Sequence, residues 1–460
     1  MSKELLKQNI EKAQFEIDRK KDMIKSGKMR QHYHFMPQTG WLNDPNGLIY
    51  FRGKYHFFFQ HNPYSGFWDS MHWGHAVSDD MLHWEYLPLA LVPSEKYDNH
   101  QKGGCFSGSA IEHDGKLFLM YTGVTNEGNG YEQVQCIAYS EDGIHFEKYE
   151  GNPVLTAPEG IPTDMFRDPK VWKHEDTYYM VCGASRNNRG MALLYRSKNM
   201  LNWEFFNVLA ESRGEWGFMW ECPDFYPIGD KYVLTFSPMG SGDHTSVYLV
   251  GDFDYETGSF YSHVSGEINW GFDYYAPQSF ESEDGRRIHI SWMGMPDCEE
   301  YTNLTLEDGW QHCFTFPREV HVKDKKVLQQ PVKELEALRR GEERAVSVLE
   351  KKGTKVFEAE VQNITGNHFR AVLAKELVLE YVNGRFEMKF TSQDKTSVSA
   401  GRSLRFREVS EVRNVRILAD VSSVEVFVND GETVFSTRYY PQDYEIKIEA
   451  LDAKIAFWEL

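Results

Sequence analysis

The chain of 460 residues carries 50 lysines and arginines against 69 aspartates and glutamates, a net charge of −19, and 15% of its residues are aromatic. So acidic a surface repels phosphate backbones and anionic membrane faces, which argues against nucleic acid or membrane as a partner. The length exceeds what one core usually supports, so two domains are expected.

Residues 1–29 are charged throughout, lack an apolar core of the kind a signal peptide needs, and read as a helix lying on the domain that follows. The six cysteines show neither a paired CxxC nor a zinc-like spacing with histidine, so no metal and no cofactor is expected. Isolated thiols and the missing leader together point to the cytoplasm.

From residue 30 onward one pattern returns five times: a turn followed by an aromatic or β-branched run. The runs are RGKYHFFFQ, DGKLFLMYTG, EDTYYMVCG, GDKYVLTFS and DGRRIHISWM. Their turn residues Gly53, Gly115, Asp176, Asp230 and Gly285 are spaced 62, 61, 54 and 55 residues apart. A second segment precedes each turn, so the unit is strand, tight turn, strand. Five such units predict an all-β, five-bladed β-propeller over residues 30–325. The segment QQPVKELEALRR has helical spacing, which predicts a helical linker over 326–345. Short alternating strands then predict a β-sandwich over 346–460.

The first strand of a propeller blade lines the central channel, so matching positions converge on the axis. Asp44, Asp168 and Glu221 lie eight or nine residues before their turn markers, and Ser107 and Ala276 fall at a similar level. Clustered carboxylates can hold a metal, form a structural network, or perform acid-base chemistry on a glycosidic bond. Calcium-loop spacing is absent. Asp44 in the turn-like WLNDPNG could serve only its own backbone, a reading that explains Glu221 poorly. Trp41, Asn43, Gln60, Trp68, Trp73 and Trp292 supply amides and ring faces suited to a sugar.

The blocks WLNDPNG, FRDPKVW and WECPDFY, with QHNP, HWGHAVS, GCFSGSA, YAPQSF, GWQHCFTFPRE and SSVEVFVNDG in the same order, resemble the β-fructofuranosidases of glycoside hydrolase family 32. This resemblance implies a propeller joined to a β-sandwich. It also implies retaining hydrolysis of the terminal β-fructofuranoside bond of sucrose or sucrose 6-phosphate, with fructose released. Asp44 would be the nucleophile, Asp168 the transition-state stabiliser and Glu221 the general acid and base, with Arg167 holding Asp168 ionised. Trp41, Leu42, Asn43, Gln60, Trp68, Phe106, Ser107, Arg167, Asp273 and Trp292 would contact the sugar. Cys222 either tunes Glu221 or simply fills space, and Glu425 reads as a surface or interface residue.

Alternatives within the same chemistry are an exo-acting fructan or fructo-oligosaccharide hydrolase with transfructosylation, or an arabinan-type hydrolase. From another class comes a non-catalytic carbohydrate-binding protein, which would be expected to have lost at least one acid. A phosphorylated substrate would call for cations near the mouth, with Lys102, Arg186, Arg189 and Arg213 as candidates. The partner in every reading is a small sugar, and a homo-oligomer is compatible with the sequence.

Overall fold

The computed structural model describes residues 2–125, 131–296, 298, 300 and 302–460. Five antiparallel sheets follow one another along the chain, and their first strands are Gly40–Phe51, Gly104–His113, Phe166–His174, Met219–Ile228 and Tyr275–Glu281. These are the five blades. Strand Trp310–Gln311 returns to pair in parallel with Gly40 and Trp41, tying the fifth blade to the first.

Each middle blade is buried on both faces, which explains apolar runs without alternation. In the third blade Met180, Cys182 and Ala184 pack toward Met120 and Ile137 of the second. Tyr179 and Val181, on the other face, meet Trp220 and Phe236 of the fourth.

The inner strand of every blade is interrupted at a matching place, and that of the first blade once more between Asn46 and Ile49. Register shifts fall between Leu42 and Pro45, Phe106 and Gly108, Arg167 and Lys170, Glu221 and Asp224, and Tyr275 and Gln278. Such bulges free a residue from the ladder and re-aim its side chain. They also explain the prolines, because Pro45, Pro169, Pro223 and Pro277 sit where no ladder N–H is required. Asp168, Cys222 and Ala276 adopt left-handed φ of 63°, 47° and 52° at these bulges. In the second blade a glycine takes the proline's place, because a Cβ on Gly108 would lie 1.9 Å from the Met120 carbonyl oxygen.

The N-terminal helix spans Ser2–Lys25 and buries Leu6, Ala13 and Ile17 against Leu89 and Val92 at the rim of the first blade. At the other end the propeller runs further than the predicted boundary at 325. Lys326–Pro331 is the outer strand of the fifth blade, because Val327 alternates inward with Val320 onto Val250 and Tyr274. What remains of the predicted helical linker is a 3₁₀ turn at Lys333–Leu338, after which Arg340–Lys352 is already a sandwich strand.

The C-terminal domain is a ten-stranded, nearly closed sheet organised around the long strand Glu445–Glu459, which pairs with three others. Phe357, Phe369, Phe386, Ile417, Phe435 and Phe457 fill its core. Its contact with the propeller has an apolar part, where Leu418, Phe427 and Val434 join the cluster of Phe314 and Phe316, and a charged part. Glu425, fully buried, accepts from His34 Nε2 at 2.8 Å, the Phe316 amide at 2.7 Å and Arg318 Nε at 3.0 Å. Among the described residues no helix is long and apolar enough to cross a membrane.

Candidate active site

A cavity of about 490 Å³ opens where the five bulges converge. Asp44, Asp168 and Glu221 all line it, together with Trp41, Asn43, Gln60, Trp68, Phe106, Ser107, Arg167 and Trp292. Two expected contacts do not reach it. Leu42 is fully buried in the apolar core beneath the first blade, since alternation turns it away from its neighbours Trp41 and Asn43. Asp273 precedes the fifth inner strand and is buried against the sandwich, where Arg402 grips both of its oxygens at 2.7 Å. Nor do Trp73, Lys102, Arg186, Arg189 or Arg213 line the cavity; Trp73 is fully buried in an apolar cluster with Phe58 and Tyr121, and Arg186 lies 3.5 Å from Glu211.

The acids occupy two kinds of position. Asp44 and Asp168 sit immediately before the bulge proline, whereas Glu221 sits one residue earlier, at the level of Asn43, Arg167 and Tyr275. The fourth-blade residue equivalent to Asp44 and Asp168 is therefore Cys222. Its amide donates to Asp168 Oδ2 at 2.8 Å, and its Sγ lies 3.4 Å from Asp44 Oδ2 and 3.6 Å from Asp168 Oδ2. The thiol thus faces the two aspartates, not the glutamate beside it.

Glu221 is held from both sides. Arg167 Nη2 and Nε donate to Oε1 at 2.8 and 3.1 Å, and the Tyr275 hydroxyl donates to Oε2 at 2.6 Å. Arg167 reaches Asp168 only at 4.0 Å, so its main partner is the glutamate. Arg167 therefore offsets only part of what burial does to Asp168. Burial raises its pKa to about 7, Arg167 opposes this, and the negative charges of Glu221 and Asp44 add to the rise. Asp44 is raised to about 6, chiefly by burial, against a 2.6 Å hydrogen bond donated by Ser107 Oγ that favours its ionised form. The Asp44 charge is one cause of the rise at Asp168, so these two carboxyls titrate as a coupled pair that retains a proton close to neutral pH.

The walls are aromatic. Trp41 meets Trp292 and His312 edge to face, with ring centroids 5.9 and 4.4 Å apart, and its Nε1 donates to Asn43 Oδ1 at 2.8 Å. Trp68 stands at the rim, 41% exposed, against Phe106. Tyr131, Gln133, Asp164, Met165, Phe218, Met239, Tyr275, Met295 and Pro296 complete the lining and were not singled out from the sequence. Only Tyr275 carried a usable signal, since it stands directly before Ala276 in YYAPQSF, as Asn43 stands before Asp44.

Residues 34–331 match the N-terminal domain of glycosyl hydrolases family 32, and residues 378–457 match the family's C-terminal domain. The chain belongs to glycoside hydrolase family 32. As a family 32 glycosidase it is 41% identical over 445 residues to a sucrose-6-phosphate hydrolase of Escherichia coli, with 90% of each chain covered. It is 35% identical over 478 residues to that of Bacillus subtilis strain 168, with 98% of each covered. Among solved structures it resembles a Bombyx mori β-fructofuranosidase with a TM-score of 0.87 at 33% identity, covering 99% of this chain and 98% of that one. A sucrose-6-phosphate hydrolase from Lactobacillus gasseri superposes with a TM-score of 0.89 at 28% identity, covering 97% and 96%.

Proposed function

We propose that this family 32 glycosidase hydrolyses the terminal β-fructofuranoside bond of sucrose or sucrose 6-phosphate with retention of configuration. The observation that carries the reading is the split environment of the acids: Asp44 rests on a single hydroxyl from Ser107, while Glu221 is clamped between Arg167 and Tyr275. Retaining glycosidases need such a pair, one carboxylate to attack and one carboxyl to donate. Sucrose-6-phosphate hydrolase is the name borne by both bacterial relatives, and a variant of the silkworm enzyme was solved with sucrose.

In this mechanism the Asp44 carboxylate attacks the anomeric carbon of the fructosyl ring. As the glycosidic bond breaks, Glu221 passes its proton to the departing sugar oxygen. Arg167 occupies Oε1, so the proton is carried on Oε2, where the Tyr275 hydroxyl can accept as well as donate. Asp168 stabilises the positive charge that develops on the ring. Water then attacks the fructosyl-enzyme ester, Glu221 takes the water's proton, and fructose leaves with Asp44 restored. Trp41, Trp68 and Trp292 provide the apolar platforms for the sugar rings.

The same reading places the enzyme in the cytoplasm, acting on a small sugar. Side-by-side kcat/KM values for sucrose, sucrose 6-phosphate, 1-kestose and inulin, with NMR of the first anomer released, test it. β-Fructose as first product and a preference for the disaccharides are expected. Rates that rise with chain length would favour the fructan reading, and no turnover of any of the four would overturn both.

A further inference from the structure

A second cavity, of about 990 Å³, lies away from the propeller axis, between the end of the N-terminal helix, the first blade and the C-terminal sheet. Its charge runs against that of the chain. Lys25 and Lys28 come from the helix end and the segment after it, Arg30 from the approach to the first blade, and Arg340 and Lys355 from the sandwich side. Among the described residues none of these five cations has a carboxylate within ion-pair distance, although acids outnumber bases 69 to 50 in the chain as a whole. Lys21, a sixth cation in the wall, is paired with Asp18, and Asp22 lines the cavity as well.

Uncompensated like charges gathered around one concavity repel each other, and an anion removes that cost. Arg30 makes this plain. Its guanidinium lies over the Trp310 ring at 4.9 Å and donates to the Pro37 carbonyl at 2.8 Å, yet burial disfavours its charge and among the described residues no carboxylate pairs with it.

The remainder of the wall suits a ring bearing hydroxyl groups. Trp84 and Tyr86, each packed on Phe35, contribute aromatic surface. Gln31, Gln38 and His32 add polar residues to the lining. Aromatic faces bind the apolar face of a sugar, while lysine and arginine bind its phosphate.

We infer that this cavity is a binding site for a small phosphorylated sugar, separate from the active site and touching helix, propeller and sandwich at once. The inference stands independently of the reaction assigned above, because none of its residues lines the catalytic cavity.

Isothermal titration calorimetry of the full chain with glucose 6-phosphate, inorganic phosphate and glucose tests it, on the wild type and on the double variant Lys25→Glu/Arg340→Glu. Both side chains are exposed, so the variant is expected to fold and to keep its kcat/KM on sucrose in the absence of phosphate compounds. Glucose 6-phosphate is expected to bind the wild type, more weakly at high salt, and at least about tenfold more weakly to the variant, the loss that follows removal of one charge-assisted contact. Any glucose 6-phosphate held in the catalytic cavity would survive the double substitution, so equal binding by both proteins would overturn the inference. Inorganic phosphate binding as tightly as the sugar phosphate would overturn the assignment to a sugar. Should the double variant fail to fold, Lys355→Glu alone, on the sandwich wall, applies the same test.

Discussion

The Ser107 hydroxyl lies 2.6 Å from Asp44 Oδ2, and the two residues come from bulges at the same level of adjacent blades. That bond favours the ionised carboxylate against the burial that raises Asp44 to about 6. A carboxylate below its pKa is protonated and cannot attack, so kcat/KM is expected to fall as pH drops through about 6. In Ser107→Ala the opposing bond is gone and the acid limb moves to higher pH. One hydrogen bond to a charged group accounts for a shift of about one pH unit. A pH profile of kcat/KM on sucrose for both proteins decides; an unmoved acid limb would separate Ser107 from the titration.

Glu221 and its tyrosine supply a second expectation. Removing the hydroxyl in Tyr275→Phe leaves the Arg167 contact intact but loosens Oε2. The expected loss in kcat on sucrose is about tenfold, the equivalent of one modest hydrogen bond. If Tyr275 acts by holding the acid, the loss shrinks on an activated fructoside whose leaving group needs no proton. Equal losses on both substrates would instead assign Tyr275 to sugar binding.

The same comparison applies more severely to Glu221→Gln, which keeps the shape of the side chain and removes its proton. Slow turnover of sucrose with partly retained turnover of the activated fructoside is expected. Asp44→Asn lacks the nucleophile and is expected to be inactive on both, with its thermal unfolding close to that of the wild type. Retained sucrose hydrolysis by a Glu221→Gln protein free of wild-type contamination would remove Glu221 from the acid role.

These expectations separate what was legible in the sequence from what was not. Hairpin strands are local, so their recurrence at intervals of 54 to 62 residues announced the five blades and brought Asp44, Asp168 and Glu221 to one axis. The bulges could not be counted from spacing, because a bulge adds a residue without adding a turn. For that reason Glu221 and Cys222 exchanged places: spacing aligned Glu221 with the aspartates, whereas the ladder aligns Cys222. Tyr275 resembled core, and at 4% exposure most of its surface is core. Asp273 and Glu425 were the hardest, because their partners Arg402 and Arg318 lie 129 and 107 residues away across a domain boundary. No periodicity reports such a contact.

That boundary carries the last expectation. His34 lies between two buried carboxylates, with Nδ1 3.0 Å from Asp420 and Nε2 2.8 Å from Glu425. Burial alone would lower its pKa, but the bonds to Asp420 and Glu425 prevail and raise it, which favours the charged ring. Burial likewise works against the Glu425 charge, yet Arg318 and His34 outweigh it and bring the carboxyl from 4.5 down to about 2. Because the folded value is the lower one, the Glu425 contribution is complete above about 4.5 and disappears as pH falls through about 2. The histidine has the opposite sign: its contribution is complete below the ordinary 6.5 and is lost as pH rises through the raised value. Replacing Glu425 by glutamine leaves Arg318, only 1% exposed, without its counter-charge. Breaking one side of a buried pair typically costs about 3–5 kcal/mol. Urea unfolding of wild type and Glu425→Gln between pH 3 and 7 is expected to show a lower midpoint for the variant at neutral pH and a smaller gap at pH 3. A gap that stays constant over this range would mean that Glu425 stabilises the interface by packing and not by its charge.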